Sequence, residues 1–214
     1  MNAADNRRPL NSRDTRWARW IARTLAGRGI TPNQISQASM AMALIAGLAF
    51  WSLALTDNTV VRGCLLIVGA LGCQLRLLCN LIDGMVAIEA GQGAPDGPFW
   101  NEFPDRISDI LILAGVGLGI GTPALGFAAA TIAVLAAYVR ELGSGLKLPA
   151  DFRGPMAKPH RMALITGAAV LSVVLSVWVR ADDILTAALW VIVIGGIATV
   201  ARRALTLRER LLAG

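Results

Sequence analysis

Charge is scarce in this 214-residue chain. Charged residues make up 16% of it and hydrophobic ones 55%, whereas a soluble domain carries about 25% charged and about 45–50% apolar residues. That balance argues against a water-soluble globule and reads as a polytopic membrane protein. Cysteine is scarce too. Cys64, Cys73 and Cys79 lie in one apolar stretch, and their odd count and setting leave no disulfide framework, only small hydrophobes in a helix. The single histidine, His160, has no partner visible in the sequence and reads as an interfacial polar residue, not a metal ligand. The first 30 residues lack a compact apolar core followed by a small-residue cleavage site, so they are not expected to be a signal peptide. No internal repeat is visible and the polar residues cluster at one mouth, which argues against a repeat-built transporter. The net charge of +6 could suggest nucleic acid. A membrane protein places its arginines at cytoplasmic ends anyway, so no nucleic-acid partner is expected.

The charges that are present gather at the N-terminus, around 140–161 and at the C-terminus. Residues 1–30 carry seven arginines. From Arg13 to Leu25, Trp17, Trp20, Ile21 and Leu25 fall on one helical face, and Arg16, Arg19 and Arg23 fall elsewhere. This pattern predicts an amphipathic helix lying in the headgroup region; a helix packed on the domain is the alternative. Pro32 and Asn33 then break the chain, and Ser36 is expected to cap the next helix. Six apolar segments follow, at about 37–55, 61–79, 107–119, 124–139, 162–179 and 184–200. The third and fourth fall short of the roughly 17–25 residues of a span. They reach full length only if their polar ends are helical too, facing protein or water instead of lipid. The chain thus divides into an arm (1–30), a six-helix membrane domain (31–203) and a tail (204–214). Sixteen Lys and Arg fall on the side of the two termini and only Arg62 and Arg180 on the other. Both termini are therefore expected in the cytoplasm, with residues 84–98 and 141–160 on the same side of a bacterial-type plasma membrane.

One polar stretch interrupts the apolar runs: NLIDGMVAIEAGQGAPDGPFWNEFPDRISD, residues 80–109. On helices, Asn80, Asp83 and Gly84 share one face, at i, i+3 and i+4. Asn101, Asp105 and Asp109 form a stripe four residues apart, with Glu102 beside it. Carboxylates within a membrane domain are costly and functional by default. Clustered acids need a counter-ion, and hard divalent cations such as Mg²⁺ or Mn²⁺ prefer such oxygens. A solvated loop whose acids merely look clustered is the bland alternative.

The stretch resembles the signature of the CDP-alcohol phosphotransferases, Asp-x2-Asp-Gly-x2-Ala-Arg-x8-Gly-x3-Asp-x3-Asp. Asp83, Gly84, Ala87, Gly97 and Asp105 match without a gap, while Asn80, Ile88 and Asn101 replace two Asp and an Arg. The resemblance implies a six-span all-α fold with an amphipathic N-terminal helix. It also implies transfer of a phosphatidyl group from CDP-diacylglycerol to an alcohol acceptor, with release of CMP. Two Mg²⁺ or Mn²⁺ ions would be held from the motif positions Asn80, Asp83, Asn101 and Asp105, with Glu102 or Asp109 supplying missing charge. Asp105 would be the general base, and Asp83, Gly84, Ala87 and Gly97 would hold the CDP. Arg140 at the end of the fourth span, and Lys158 and Arg161 entering the fifth, resemble members whose acceptor bears a phosphate, such as glycerol 3-phosphate. Arg suits phosphate because its fork donates two parallel hydrogen bonds; the positive-inside rule alone is the alternative for Lys158 and Arg161. A homodimer is usual in the family, and Gly115 and Gly119, one turn apart, would allow close helix packing. With two motif acids missing, an inactive member that binds a nucleotide-lipid or a protein partner is the second reading.

Overall fold

The computed structural model describes residues 15–89 and 96–213. Residues 1–14 of the expected arm, Arg13 included, and the Ile88 side chain lie outside it. The described residues form seven α-helices with no strand among them: α1 (Arg16–Gly27), α2 (Pro32–Trp51), α3 (Thr59–Glu89), α4 (Gly97–Gly119), α5 (Pro123–Gly145), α6 (Lys158–Val174) and α7 (Ala181–Leu212). A 3₁₀ turn, Ser52–Leu55, prolongs α2.

α2 starts earlier than the sequence reading expects. Thr31 is its N-cap. The Thr31 hydroxyl accepts from the Gln34 N–H at 3.3 Å, and the Gln34 side chain accepts from the Thr31 N–H at 3.0 Å. This capping box satisfies two orphan donors at once. Pro32, which lacks an N–H, suits the first helical position. Ser36 is therefore free of capping and takes a part in the site. Asn58 starts α3, its Oδ1 accepting from the N–H groups of Val60 (3.0 Å) and Val61 (3.1 Å). The polar ends of the third and fourth apolar segments are helical as required: α4 begins at Gly97 and α5 runs to Gly145.

Four stretches are long and apolar enough to cross a membrane: Pro32–Leu55, Thr59–Ala87, Pro123–Gly145 and Ala181–Leu212. The other two expected spans fall on α4, which carries Glu102, Asp105, Arg106 and Asp109, and on the 17-residue α6. α3 has 31 residues, about 46 Å at ~1.5 Å per residue, and so outruns a hydrocarbon core of about 30 Å.

α2 packs against both α3 and α4. Its approach to α4 is backbone on backbone: a Cβ added to Gly47 would lie 2.5 Å from the Leu111 carbonyl oxygen, and one on Gly115 would lie 2.8 Å from the Gly47 Cα. At Gly119 it would meet the Phe50 carbonyl carbon at 2.8 Å. Gly115 and Gly119 thus serve packing within the chain, and the sequence signal for a dimer interface falls away. α1 lies along the end of α3, with Ala18 and Ala22 against Leu81, Ile82, Met85 and Val86, and Ile21 and Leu25 partly covered. Trp17 and Trp20 point outward, 48% and 68% exposed. The expected single face of α1 is split between packing and exposure.

Candidate active site

Two serines of α2 orient the polar face of α3. The Ser36 hydroxyl donates to Asp83 Oδ2 at 2.9 Å, and the Ser39 hydroxyl donates to Asn80 Oδ1 at 2.7 Å. The Asn80 amide then donates to Asp105 Oδ1 at 2.6 Å, joining α3 to α4. A carboxylate accepts only, so the amide nitrogen of Asn80 must face Asp105. Its oxygen is left for Ser39.

Arg76, one turn before Asn80, is fully buried. Its Nη2 donates to Asp109 Oδ1 at 2.9 Å, to the Asp105 carbonyl at 3.2 Å and to Asp105 Oδ1 at 3.4 Å. Lys158, at the start of α6, donates to Asp105 Oδ2. Arg161 donates through Nη2 to Asp109 Oδ2 at 2.6 Å and through Nη1 to the Met156 carbonyl at 2.9 Å. Two buried carboxylates therefore face these three cations, and a fourth, Arg106, stands beside Asp105. Unit charges 4 Å apart interact by about 4 kcal/mol at an effective dielectric of 20, so these pairs answer the need for counter-ions from within the chain.

The network continues outward. Arg106 pairs with Asp105 at 3.7 Å and with Glu102 at 3.2 Å. Glu102 pairs with Arg140, whose guanidinium also reaches Glu141 at 2.8 Å and lies 5.3 Å from the centre of the Phe152 ring. The loop that delivers Lys158 is anchored on α7. The Met156 N–H donates to the Thr199 hydroxyl at 3.0 Å, and Arg203 donates to the carbonyls of Arg153 (3.0 Å) and Ala136 (2.7 Å). Gly154 sits at φ 136°, and a Cβ there would meet Thr199 Cβ at 3.0 Å.

The structure thus gathers Asn80, Asp105, Asp109, Glu102, Arg140, Lys158 and Arg161 into one network, with Asp83 on the same helix face as Asn80. Asn101 stands apart. It is exposed and its amide donates to Glu102 at 3.3 Å. Gly84 and Ala87 are partly exposed beyond Asp83, and a Cβ on Gly97 would meet nothing within 4 Å. His160 is exposed, with Nδ1 3.0 Å from the Pro155 carbonyl. Sequence reasoning missed Ser36, Ser39 and Arg76 as parts of the site. The signal for Arg76 was present: a charge within an apolar run, four residues before Asn80 and seven before Asp83, shares their face.

Among the described residues no three His, Cys, Asp or Glu side chains stand together as metal ligands. Asn80 turns its amide nitrogen inward, Asn101 is at the surface, and Asp105 and Asp109 are saturated by cations. These residues do not fit the two-ion set of the four-acid motif. Asp83 has no ion pair among the described residues.

No protein-family model matches the chain. Over 99 residues, 46% of this chain, it is 34% identical to archaetidylinositol phosphate synthase of Pyrococcus horikoshii, of which the match covers 47%. Over 131 residues, 58% of this chain, it is 32% identical to the bifunctional IPC transferase and DIPP synthase of Rubrobacter xylanophilus, of which it covers 27%. The chain thus spans about half or less of the length of these curated relatives. Among solved structures, phosphatidylinositol phosphate synthase of Mycobacterium tuberculosis with CDP-DAG bound has a TM-score of 0.74 at 20% identity, covering 90% of this chain and 94% of that one. The same enzyme in complex with manganese and citrate has a TM-score of 0.73 at 20% identity, covering 89% and 88%. Sharing its fold with these structures and its sequence likeness with the named synthases, the chain is a relative of the CDP-alcohol phosphotransferases.

Proposed function

We propose that the chain is an integral-membrane transferase that moves a phosphatidyl group from CDP-diacylglycerol to an alcohol, releasing CMP. The observation that carries this reading is the Asn80–Asp105 contact. It joins the two halves of the motif across α3 and α4, beside a retained Asp83. In this reading α1 lies in the headgroup region, α2–α7 are six spans, and both termini are cytoplasmic. The polar faces of α4 and α6 look into the bundle, where intramembrane charge is tolerated.

Asp105 is the general base. Its carboxylate takes the proton of the acceptor hydroxyl as the oxygen attacks the phosphorus next to the diacylglycerol. The bond to the CMP oxygen breaks and CMP leaves. Lys158 on Asp105 Oδ2 and Asn80 on Oδ1 fix the carboxylate in place. Gly84, Ala87 and Gly97 leave room for the nucleotide. Asp83, free of ion pairs among the described residues, is the carboxylate left for a divalent ion, Mg²⁺ or Mn²⁺; bound there, the ion would supply positive charge to the diphosphate. Arg140 and Lys158, both partly exposed, suit a phosphate on the acceptor. Arg161 is turned inward onto Asp109 and holds the site together instead.

The second reading, an inactive member that binds a nucleotide-lipid, draws on one observation: cations already cover both oxygens of Asp105. CMP release from labelled CDP-diacylglycerol decides between the two. The purified chain is supplied with Mg²⁺ or Mn²⁺ and a panel of acceptors that includes glycerol 3-phosphate, inositol phosphate and serine. Acceptor-dependent CMP release is expected. Its absence with every acceptor, in protein that still binds CDP, would establish the second reading.

A further inference from the structure

The motif of four acids neutralises two divalent ions with four negative charges. In this chain two of those positions are amides, Asn80 and Asn101, and the acids Asp105 and Asp109 are paired with cations of the chain itself. Arg76 is fully buried. It bridges Asp105 and Asp109 with one nitrogen, while its Nε and Nη1 find no partner. Lys158 takes the other oxygen of Asp105, and Arg161 the other oxygen of Asp109. A guanidinium does not lose its proton in a protein, so this charge is permanent. A divalent ion brought to Asp105 would find both oxygens engaged and four cations close by. Restoring Asp at positions 80 and 101 would leave that repulsion in place.

We propose that Arg76, supported by Lys158, stands in for one of the two divalent ions, so that the site holds one such ion at most. Arg76 is then a positioning residue for Asp105 as well as a fixed positive charge beside the transferred phosphoryl group. The inference rests on the proposed function for the meaning of the motif positions.

Counting bound Mn²⁺ tests it without any turnover. The purified wild-type chain is titrated with Mn²⁺, and the free ion is followed by electron paramagnetic resonance. At most one ion per chain is expected, with no signal of an exchange-coupled pair. The Asn80→Asp, Asn101→Asp variant, with Arg76 kept, should also stop at one. Adding Arg76→Gln to that pair should admit the second ion. Two ions in the wild type, or in the pair variant, would overturn the proposal, as would a folded triple variant that still stops at one. Should the triple variant not fold, the wild-type and pair-variant counts still decide. A chain that binds one ion but releases no CMP would sink the transferase reading and leave this one standing.

Discussion

The two ends of the helix bundle both use arginine–aspartate pairs, for different purposes. At the end away from the motif, Arg62 pairs with Asp182 of α7 and donates to the Leu53 carbonyl at 2.6 Å. It closes the turn after α2 and pins it to α7, and both side chains stay partly exposed. At the motif end, Arg76, Asp109 and Arg161 are almost wholly buried. Burying charges in this way costs more in desolvation than a turn requires, and a pair of apolar residues would often be no less stable. The first arrangement is a stitch. The second is a buried charge network, which stability alone does not call for and which fits the catalytic role proposed for it.

The sharpest way to break this comparison is at the motif acids. Asp105→Ala should cut CMP release by about 10²–10⁴-fold, the worth of a general base, and Asp83→Ala should abolish it by removing the carboxylate proposed to hold the divalent ion. Asp83→Ala, which breaks no ion pair among the described residues, should elute from size exclusion in detergent as the wild type does, and Asp105→Ala, which unpairs Lys158, should be compared per folded molecule. Asp109→Ala should act on the fold first. It leaves Arg76 and Arg161 without their shared carboxylate, and breaking a buried pair costs about 3–5 kcal/mol. A lowered thermal midpoint or lost folded yield is the expected readout; an unchanged midpoint would mean that the charge network is wetter than its burial implies. Arg140→Ala should raise the KM of a phosphorylated acceptor by about 10–100-fold, the worth of a charged hydrogen bond of about 1.5–3 kcal/mol. The KM of CDP-diacylglycerol should move much less. Arg62→Ala, at the other end, should lower the thermal midpoint by the equivalent of about 1 kcal/mol, with CMP release per folded molecule unchanged.

The smallest effect concerns pH. Arg153 beside Asp151 holds that carboxyl below its ordinary range. A depressed carboxyl contributes stability that is present above its unfolded pKa and lost as pH falls through the folded one. Asp151→Asn should therefore flatten the acid limb of a stability–pH curve slightly below about pH 4. The effect should stay within the 0–1 kcal/mol or so of an exposed pair.

Much of this was legible in the sequence because it is local. Apolar runs of spanning length announced α2, α3, α6 and α7, and four-residue spacing placed Asp105 and Asp109 on one face. The helical polar ends of α4 and α5 followed from the shortness of their apolar parts. What escaped depends on pairs across helices. Nothing within α2 says that Ser36 will serve Asp83 instead of capping its own helix; that follows from Thr31 and Gln34 having already closed the end. Lys158 and Arg161 look equivalent in sequence, yet one reaches Asp105 and the other Asp109. Gly115 and Gly119 read equally well as a surface for another chain until Gly47 is seen against them.

That last contact sets the tolerance of the whole site. α3 and α4 carry the two halves of the motif, and each is laid along α2. The helix that contributes no acid is therefore the ruler against which the other two are aligned. Gly115 is ten residues from Asp105, about 15 Å along α4 at ~1.5 Å per residue. A methyl group added there would leave every polar side chain intact and still slide one half of the motif past the other. An Asn80–Asp105 contact of 2.6 Å has little slack to absorb such a shift, so the alignment of the site is decided in the apolar depth of the bundle, far from any charge.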